Sequence, residues 1–188
     1  MLKANSISKT IKSIKSITQI PVIIFPGDFS QLSNLADAIL IPSLLSGRNT
    51  EYLIGKHVKA ASKLKASKLT TIPIGYILVG DGNNSTTQKI TKTKPLITTK
   101  EIVNTAVAGE LLGKSLIYLE AGSGAKKTVL INSIIAVKKQ ISIPLIVGGG
   151  IDSVVKAKKI LNSNPDYIVV GNALEKTPNL LVELSILF

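Results

Sequence analysis

Short apolar runs rich in β-branched residues recur along the chain, each followed by a turn and then by a stretch with helical spacing. They are PVIIFPG (21–27), AILIPS (38–43), IPIGYILVGDG (72–82), SLIYLEAGSG (115–124), PLIVGGG (144–150) and YIVVGN (167–172). Runs that are apolar on both faces suit a parallel sheet covered by helices. Predicted helices fill the intervals, over Asn49 to about Lys65, Thr98 to Leu112, Thr128 to Gln140, Ser153 to Asn162 and Ala173 to Leu187. Ahead of the first run, Ile7, Ile11, Ile14 and Ile17 recur opposite Lys9, Lys12 and Lys15, the pattern of an amphipathic helix ending before Pro21. NTEY at Asn49 reads as a helix start, and TTKEI at Thr98 has the spacing of a capping box. Alternating β and α units of this kind describe one α/β domain over residues 1–188.

One interval breaks the rhythm. Residues 80–99, GDGNNSTTQKITKTKPLITT, are polar and too long for an ordinary connection between strand and helix. A solvated loop is one expectation. The other is a lid or anion clamp built on the lysines and threonines of TKTKP.

Composition narrows the function classes. With 188 residues, 45% of them hydrophobic, the chain can bury a sizeable core. Its net charge is +12, yet the lysines are spread over nearly every predicted helix, Arg48 is the single arginine, and aromatics amount to 4%. Base-stacking platforms and guanidinium readers are therefore scarce, and no nucleic-acid partner is expected. The charge reads instead as a solvated lysine surface that also attracts anionic substrates. The lysine-bearing first helix is expected to pack on the domain surface, with transient contact to a membrane surface as its alternative role. No cysteine occurs, which excludes disulfides, thiolate metal sites and a thiol nucleophile. The first twenty residues lack the apolar core of a secretory signal, and no later run reaches membrane-span length, so a cytoplasmic location is the default expectation. His57 has no neighbouring acid and reads as a surface residue.

The last three strand exits carry the candidate chemistry. Glu120 is followed by Gly122-Ser123-Gly124, Val147 by Gly148-Gly149-Gly150, and Val170 by Gly171-Asn172. In a parallel sheet these turns share one end. Glycines there expose N–H donors to a ligand, and a helix starting just beyond adds the positive end of its dipole. Each cluster alone is a tight turn; three in consecutive units point to an anion site, and (β/α)-barrels commonly hold phosphate after their last strands. Tyr118 and Glu120 are two residues apart and face the same side of their strand. A buried carboxylate needs a partner, so Glu120 is either hydrogen-bonded to hydroxyls or a lysine, or the general base toward a substrate hydroxyl, roles that do not exclude each other.

Taken in order, PVIIFPGDFSQLSNLADAILIPSLLSGRN, IPIGYILVGDG, YLEAGSGA, PLIVGGGI and DYIVVGNA resemble the geranylgeranylglyceryl phosphate synthase family, which includes heptaprenylglyceryl phosphate synthases. The resemblance runs from about Pro21 to Asn172. It implies a modified (β/α)8 barrel of the TIM type that joins a polyprenyl diphosphate to sn-glycerol 1-phosphate through an ether bond, in archaeal-type lipid biosynthesis. Magnesium would assist departure of diphosphate. Tyr118, Leu119, Glu120, Ala121, Gly122, Ser123, Gly124, Gly149, Gly150, Gly171 and Asn172 correspond to the glycerol-phosphate site, with Ser123 and the glycine amides on phosphate. Glu120, with Tyr118, would act on the attacking hydroxyl. Leu44, Leu45 and Tyr76 are candidate walls for the prenyl chain, and a homo-oligomer is the expected assembly.

The resemblance also has a gap. Relatives open with a strand bearing an aspartate in an IDP-like motif, a helix, and a strand ending in Ser or Thr, and these supply the magnesium ligands. Only about six strands are expected here, so the first two βα units of the barrel, on the order of 50 residues, have no counterpart. A truncated gene product or misplaced start is the expected cause, which would leave this chain inactive as it stands, and completion by association is the alternative; no metal ligand is assigned, and Asp28 and Asp81 lie near strand exits but not at the family's metal position. Two other classes remain open: a sugar-phosphate isomerase or epimerase on the same barrel, and a noncatalytic phosphate-binding or assembly subunit.

Overall fold

A computed structural model gives the fold and describes residues 4–28, 30–80 and 85–188. Asp81, singled out above, lies outside the described residues. The strands are β1 (Ile23–Ile24), β2 (Ala38–Leu44), β3 (Thr70–Leu78), β4 (Leu116–Glu120), β5 (Leu145–Gly148) and β6 (Tyr167–Val169). They are ordered in the sheet as in the sequence. Sequential order, with parallel pairing of β1 with β2, β4 with β5 and β5 with β6, is the topology of a (β/α)-barrel sheet. A doubly wound sheet would reverse direction at a switch point. The described residues hold six such strands, where a closed barrel of this type uses eight.

The helices are α1 (Ala4–Lys15), α2 (Lys56–Ala66), α3 (Thr86–Thr91), α4 (Thr99–Leu111), α5 (Ile131–Lys138), α6 (Val154–Leu161), α7 (Asn172–Lys176) and α8 (Leu180–Ser185). No described helix is long and apolar enough to cross a membrane. The chain divides into two compact units, residues 1–43 with 50–74, and residues 44–49 with 75–188.

In the first unit, Ile11 of α1, Ile24 of β1, Ala36, Ile39 of β2 and Leu69 form a small core, joined by Ile7, Val22, Leu32, Ile41 and Leu64. The isoleucine stripe of α1 is shorter than its spacing suggests. The helix stops at Lys15, so Ile17 lies beyond it and is 85% exposed. Past Lys15 the Thr18 hydroxyl accepts from the Ile20 N–H, a local bond that competes with helix continuation. Strand β1 is only two residues long because Pro21 and Pro26 close in on it and offer no ladder donors. A single turn of π-helical hydrogen bonding, Glu51–Gly55, leads into α2. Helical structure starts within NTEY, as the start signal there suggests, and Thr50 already has helical backbone angles with no capping bond from its own side chain. His57 is half-buried rather than on the surface, its Nε2 3.0 Å from the Pro42 carbonyl.

The second unit holds the larger core. Ile77, Ile117, Leu119, Leu145 and Val147 from the strands pack with Ile102, Ala106, Ile134, Val137, Ala157 and Ile160 from the covering helices. The capping box of α4 forms as its spacing suggests: Thr98 Oγ1 accepts from the Glu101 N–H at 3.2 Å, and Glu101 Oε2 accepts from the Thr98 N–H at 3.4 Å. The last predicted helix is instead two, α7 and α8, since Thr177 precedes Pro178 and is held off helical angles at φ −136°. The described part of the polar interval 80–99 is not a solvated loop. Ser85 caps α3 in a second capping box with Gln88, Thr91 and Thr93 are buried, and Leu96 returns to the sheet beside Val79.

Candidate active site

All eleven site residues read from the sequence fall in the second unit, on β4 and the turns after β4, β5 and β6. Strand β4 is buried along its whole length, so its two polar residues are buried with it: Tyr118 at 2% exposure and Glu120 at 6%. Their shared face brings them together. The Tyr118 hydroxyl hydrogen-bonds the Glu120 carboxylate, and the Gly122 N–H donates to Glu120 Oε1 at 2.7 Å. Burial pushes the Glu120 carboxyl above its ordinary value, while those two donors pull the other way. Burial, followed by the nearby Glu120 charge, pushes the Tyr118 hydroxyl up strongly, so it remains a donor. Glu120 is thus a desolvated carboxylate held by hydrogen bonds, and among the described residues no lysine is one of the groups acting on it.

Glycine is demanded beside this pair by close approach. Gly148 sits opposite Glu120 in the β4–β5 register, and a Cβ there would run into the Tyr118 ring and hydroxyl. At Gly149, φ is +85°, and a Cβ would lie 2.5 Å from Glu120 Oε1 and 2.8 Å from the nitrogens of Ala121 and Gly122. The turn after β5 is therefore pressed against the turn after β4. The turn after β6 joins them through the Ser123 hydroxyl, which donates to Asn172 Oδ1 at 3.0 Å. Leu119 faces the core and shapes the site only through its backbone.

These turns leave donors to spare. The N–H of Ala121 is spent on the Gly148 carbonyl and that of Gly122 on Glu120. Among the described residues, the N–H groups of Ser123, Gly124, Gly149, Gly150 and Asn172 meet no protein acceptor. A cluster of unsatisfied amides on adjacent turns is a ready anion site. The helix dipoles expected to reinforce it are less direct than anticipated. Helix α5 starts only at Ile131 and α6 at Val154, leaving α7, of five residues, to begin beside its turn.

The prenyl-wall candidates divide. Leu45 packs against the core, so close that a Cβ at Gly75 or Gly109 would come within 2.8 Å of its Cδ1; it is not free to line a groove. Tyr76 belongs with the carboxylate instead. Its ring meets Tyr118 edge-on at 5.2 Å, its hydroxyl bonds Thr87, and it lies near enough to Glu120 to feel its charge.

Several neighbours escaped the sequence reading. Ser85 fills the space over Gly122, where a Cβ would come 2.5 Å from its own, and Thr87 holds Tyr76. Ser85-Thr86-Thr87-Gln88 carries the same capping-box signature as TTKEI and would have exposed this helix. No comparable signal marks Gly148, whose role arises from strand register. Magnesium needs several hard oxygen ligands. Among the described residues no three His, Asp or Glu side chains converge, and Asp28 is engaged with Ser30 and Lys56; they do not fit that ion.

Comparison with known proteins places this geometry. The sequence profile described as the PcrB family matches residues 3–185. A geranylgeranylglyceryl phosphate synthase of Zunongwangia profunda is 49% identical over 164 residues, covering 86% of this chain and 70% of the relative. One from Pyrococcus furiosus is 39% identical over 173 residues, with 92% and 69% covered. The crystal structure of (S)-3-O-geranylgeranylglyceryl phosphate synthase from Thermoplasma acidophilum in complex with substrate sn-glycerol-1-phosphate superposes with a TM-score of 0.90 at 35% identity, covering 98% of this chain and 74% of that one.

Proposed function

The chain belongs to the PcrB family, and from that premise we propose that it is a prenyltransferase joining a polyprenyl diphosphate to sn-glycerol 1-phosphate. The observation that carries this reading is the conjunction of a desolvated, hydrogen-bonded Glu120 with free amides on three adjacent turns. The phosphate of the acceptor would lie on the amides of Ser123, Gly124, Gly149, Gly150 and Asn172, with Ser123 Oγ able to turn from Asn172 toward it. Its glycerol hydroxyls would reach Glu120.

A carboxylate made more basic by burial is suited to take the proton of the attacking hydroxyl as its oxygen bonds C1 of the prenyl chain and diphosphate leaves with the bonding electrons. Tyr118 holds the carboxylate in place and remains protonated throughout. Magnesium, when bound, would neutralise the departing diphosphate; the described residues hold no ligand set for it. A homo-oligomer, a cytoplasmic location and transient contact with a membrane surface complete the proposal.

The test is direct. The purified full chain is incubated with labelled sn-glycerol 1-phosphate, magnesium and prenyl diphosphates of graded length, and organic-extractable ether product is counted. Product formation that Glu120→Gln abolishes is the expected result. Binding of sn-glycerol 1-phosphate without product would instead mark a noncatalytic phosphate-binding protein, and absence of binding would overturn both.

A further inference from the structure

One side chain joins the turns after β4 and β5. Lys156, in the first turn of α6, directs its ammonium back across the β5 exit. Nζ lies 3.3 Å from the Gly150 carbonyl oxygen, 3.3 Å from the Lys126 carbonyl oxygen and 2.8 Å from the Asp152 carboxylate. An ammonium has three donors and no acceptor, so these three oxygens from two loops use it fully. The backbones themselves touch beside it: a Cβ at Gly150 would strike the Lys127 carbonyl and come within 3.1 Å of the Thr128 nitrogen. Asp152, four residues before Lys156, fixes the ammonium from the solvent side, and that hydrogen bond holds the Asp152 carboxyl below its ordinary value.

The bond acts where the backbone most needs restraint. Gly149 and Gly150 sit at φ +85° and +70°, and neither has a side chain to resist rotation of the neighbouring peptide planes. A trans peptide is planar with its C=O and N–H opposed, so a held carbonyl fixes the direction of the amide in the same plane. Gripping the Gly150 carbonyl sets the Ile151 N–H, and with it the turn that presents the Gly149 and Gly150 donors. Gripping the Lys126 carbonyl ties the same point to the loop that follows Ser123 and Gly124.

We propose that Lys156 is a positioning residue for the anion turns: it clamps the Gly150 and Lys126 carbonyls and so holds the amide donors after β4 and β5 in one arrangement, without itself touching the phosphate. This rests on the phosphate reading of those turns. It differs from simple attraction by a nearby cation, which Lys159, exposed on the same helix, would also supply.

The experiment has a ligand-free arm and a ligand arm on the full chain. In the first, backbone amide order parameters at Gly149, Gly150 and Ile151 are measured by NMR in wild type, K156A, K156R and K159A. They fall in K156A from the rigid range of about 0.85 to below about 0.6, recover in K156R, and are unchanged in K159A. Should K156A unfold, K156M keeps the apolar stem and carries the test. In the second arm, sn-glycerol 1-phosphate and inorganic phosphate are titrated at low and high salt. Both Kd values rise about five- to twentyfold in K156A at either salt level, and K159A stays within about twofold. Wild-type order parameters in K156A overturn the clamp, and so does an affinity loss that high salt erases. A wild-type chain that binds neither probe overturns the phosphate reading, and the ligand-free arm then decides the clamp alone.

Discussion

The two compact units treat their polar side chains in opposite ways. In the first, charges stay at the surface: Lys15 pairs with Asp37 at 2.6 Å and Lys59 with Glu51 at 2.7 Å, every partner more than a third exposed. In the second, Glu120 and Tyr118 are withdrawn from solvent at 6% and 2% exposure and answered by named donors. Exposed pairs gain little and are screened by salt. A buried carboxylate carries a desolvation cost that no packing requirement explains, because an apolar residue of similar size would fill the space at less expense. The contrast supports the proposed site: among the described residues, the second unit retains a costly group beside free amides, and the first has none of that kind.

The largest expected effect is on catalysis. Glu120→Gln should lower prenyl transfer by about 10²–10⁴-fold, the usual contribution of a general base, while the Kd for sn-glycerol 1-phosphate rises less than about tenfold. Equal loss in both would make Glu120 a binding group only. The same residue gives a pH signature. Its carboxyl is raised in the folded state, so the stability linked to its protonation is fully present below the ordinary value of 4.5 and is lost as pH rises through the raised value. The melting temperature of wild type relative to Glu120→Gln should therefore fall as pH goes from about 4.5 toward neutrality. A difference independent of pH would contradict the shift.

Next in size is the backbone. Gly149→Ala places a Cβ at positive φ against the Glu120 carboxylate and two backbone nitrogens that cannot all yield. It should cost about 2–4 kcal/mol by chemical denaturation and abolish phosphate binding. Smaller still is the cap of α4. Thr98→Ala should cost about 1 kcal/mol, whereas Thr50→Ala, at a helix start with no capping bond, should stay within about 0.5 kcal/mol. Smallest is the surface: Lys59→Ala should change stability by no more than about 0.5 kcal/mol, and by nothing measurable in high salt.

What the sequence discloses follows from the range of the forces involved. Strands β2 to β6 were legible because apolar β-branched runs are local and carry their own turn residues. Capping at Thr98 was legible for the same reason. The Ala173–Leu187 pattern hid its break because apolar spacing continues across Pro178, and the two-residue β1 was overread because its flanking prolines were weighed less than its isoleucines. Tyr118 and Glu120 could be paired from strand periodicity alone. Their neighbours could not: Gly148 against Tyr118, Ser85 over Gly122 and Lys156 across two loops are set by register and by folding of distant segments. Leu45 illustrates the reverse error, an apolar residue near a strand exit that the core claims instead.

The most direct test of the central claim is a crystal structure of the chain soaked with sn-glycerol 1-phosphate. Phosphate oxygens within hydrogen-bond distance of the Ser123, Gly124, Gly149, Gly150 and Asn172 amides, with a glycerol hydroxyl on the Glu120 carboxylate, are the expected result. Density for the ligand elsewhere, or turns left empty at saturating concentration, would contradict it.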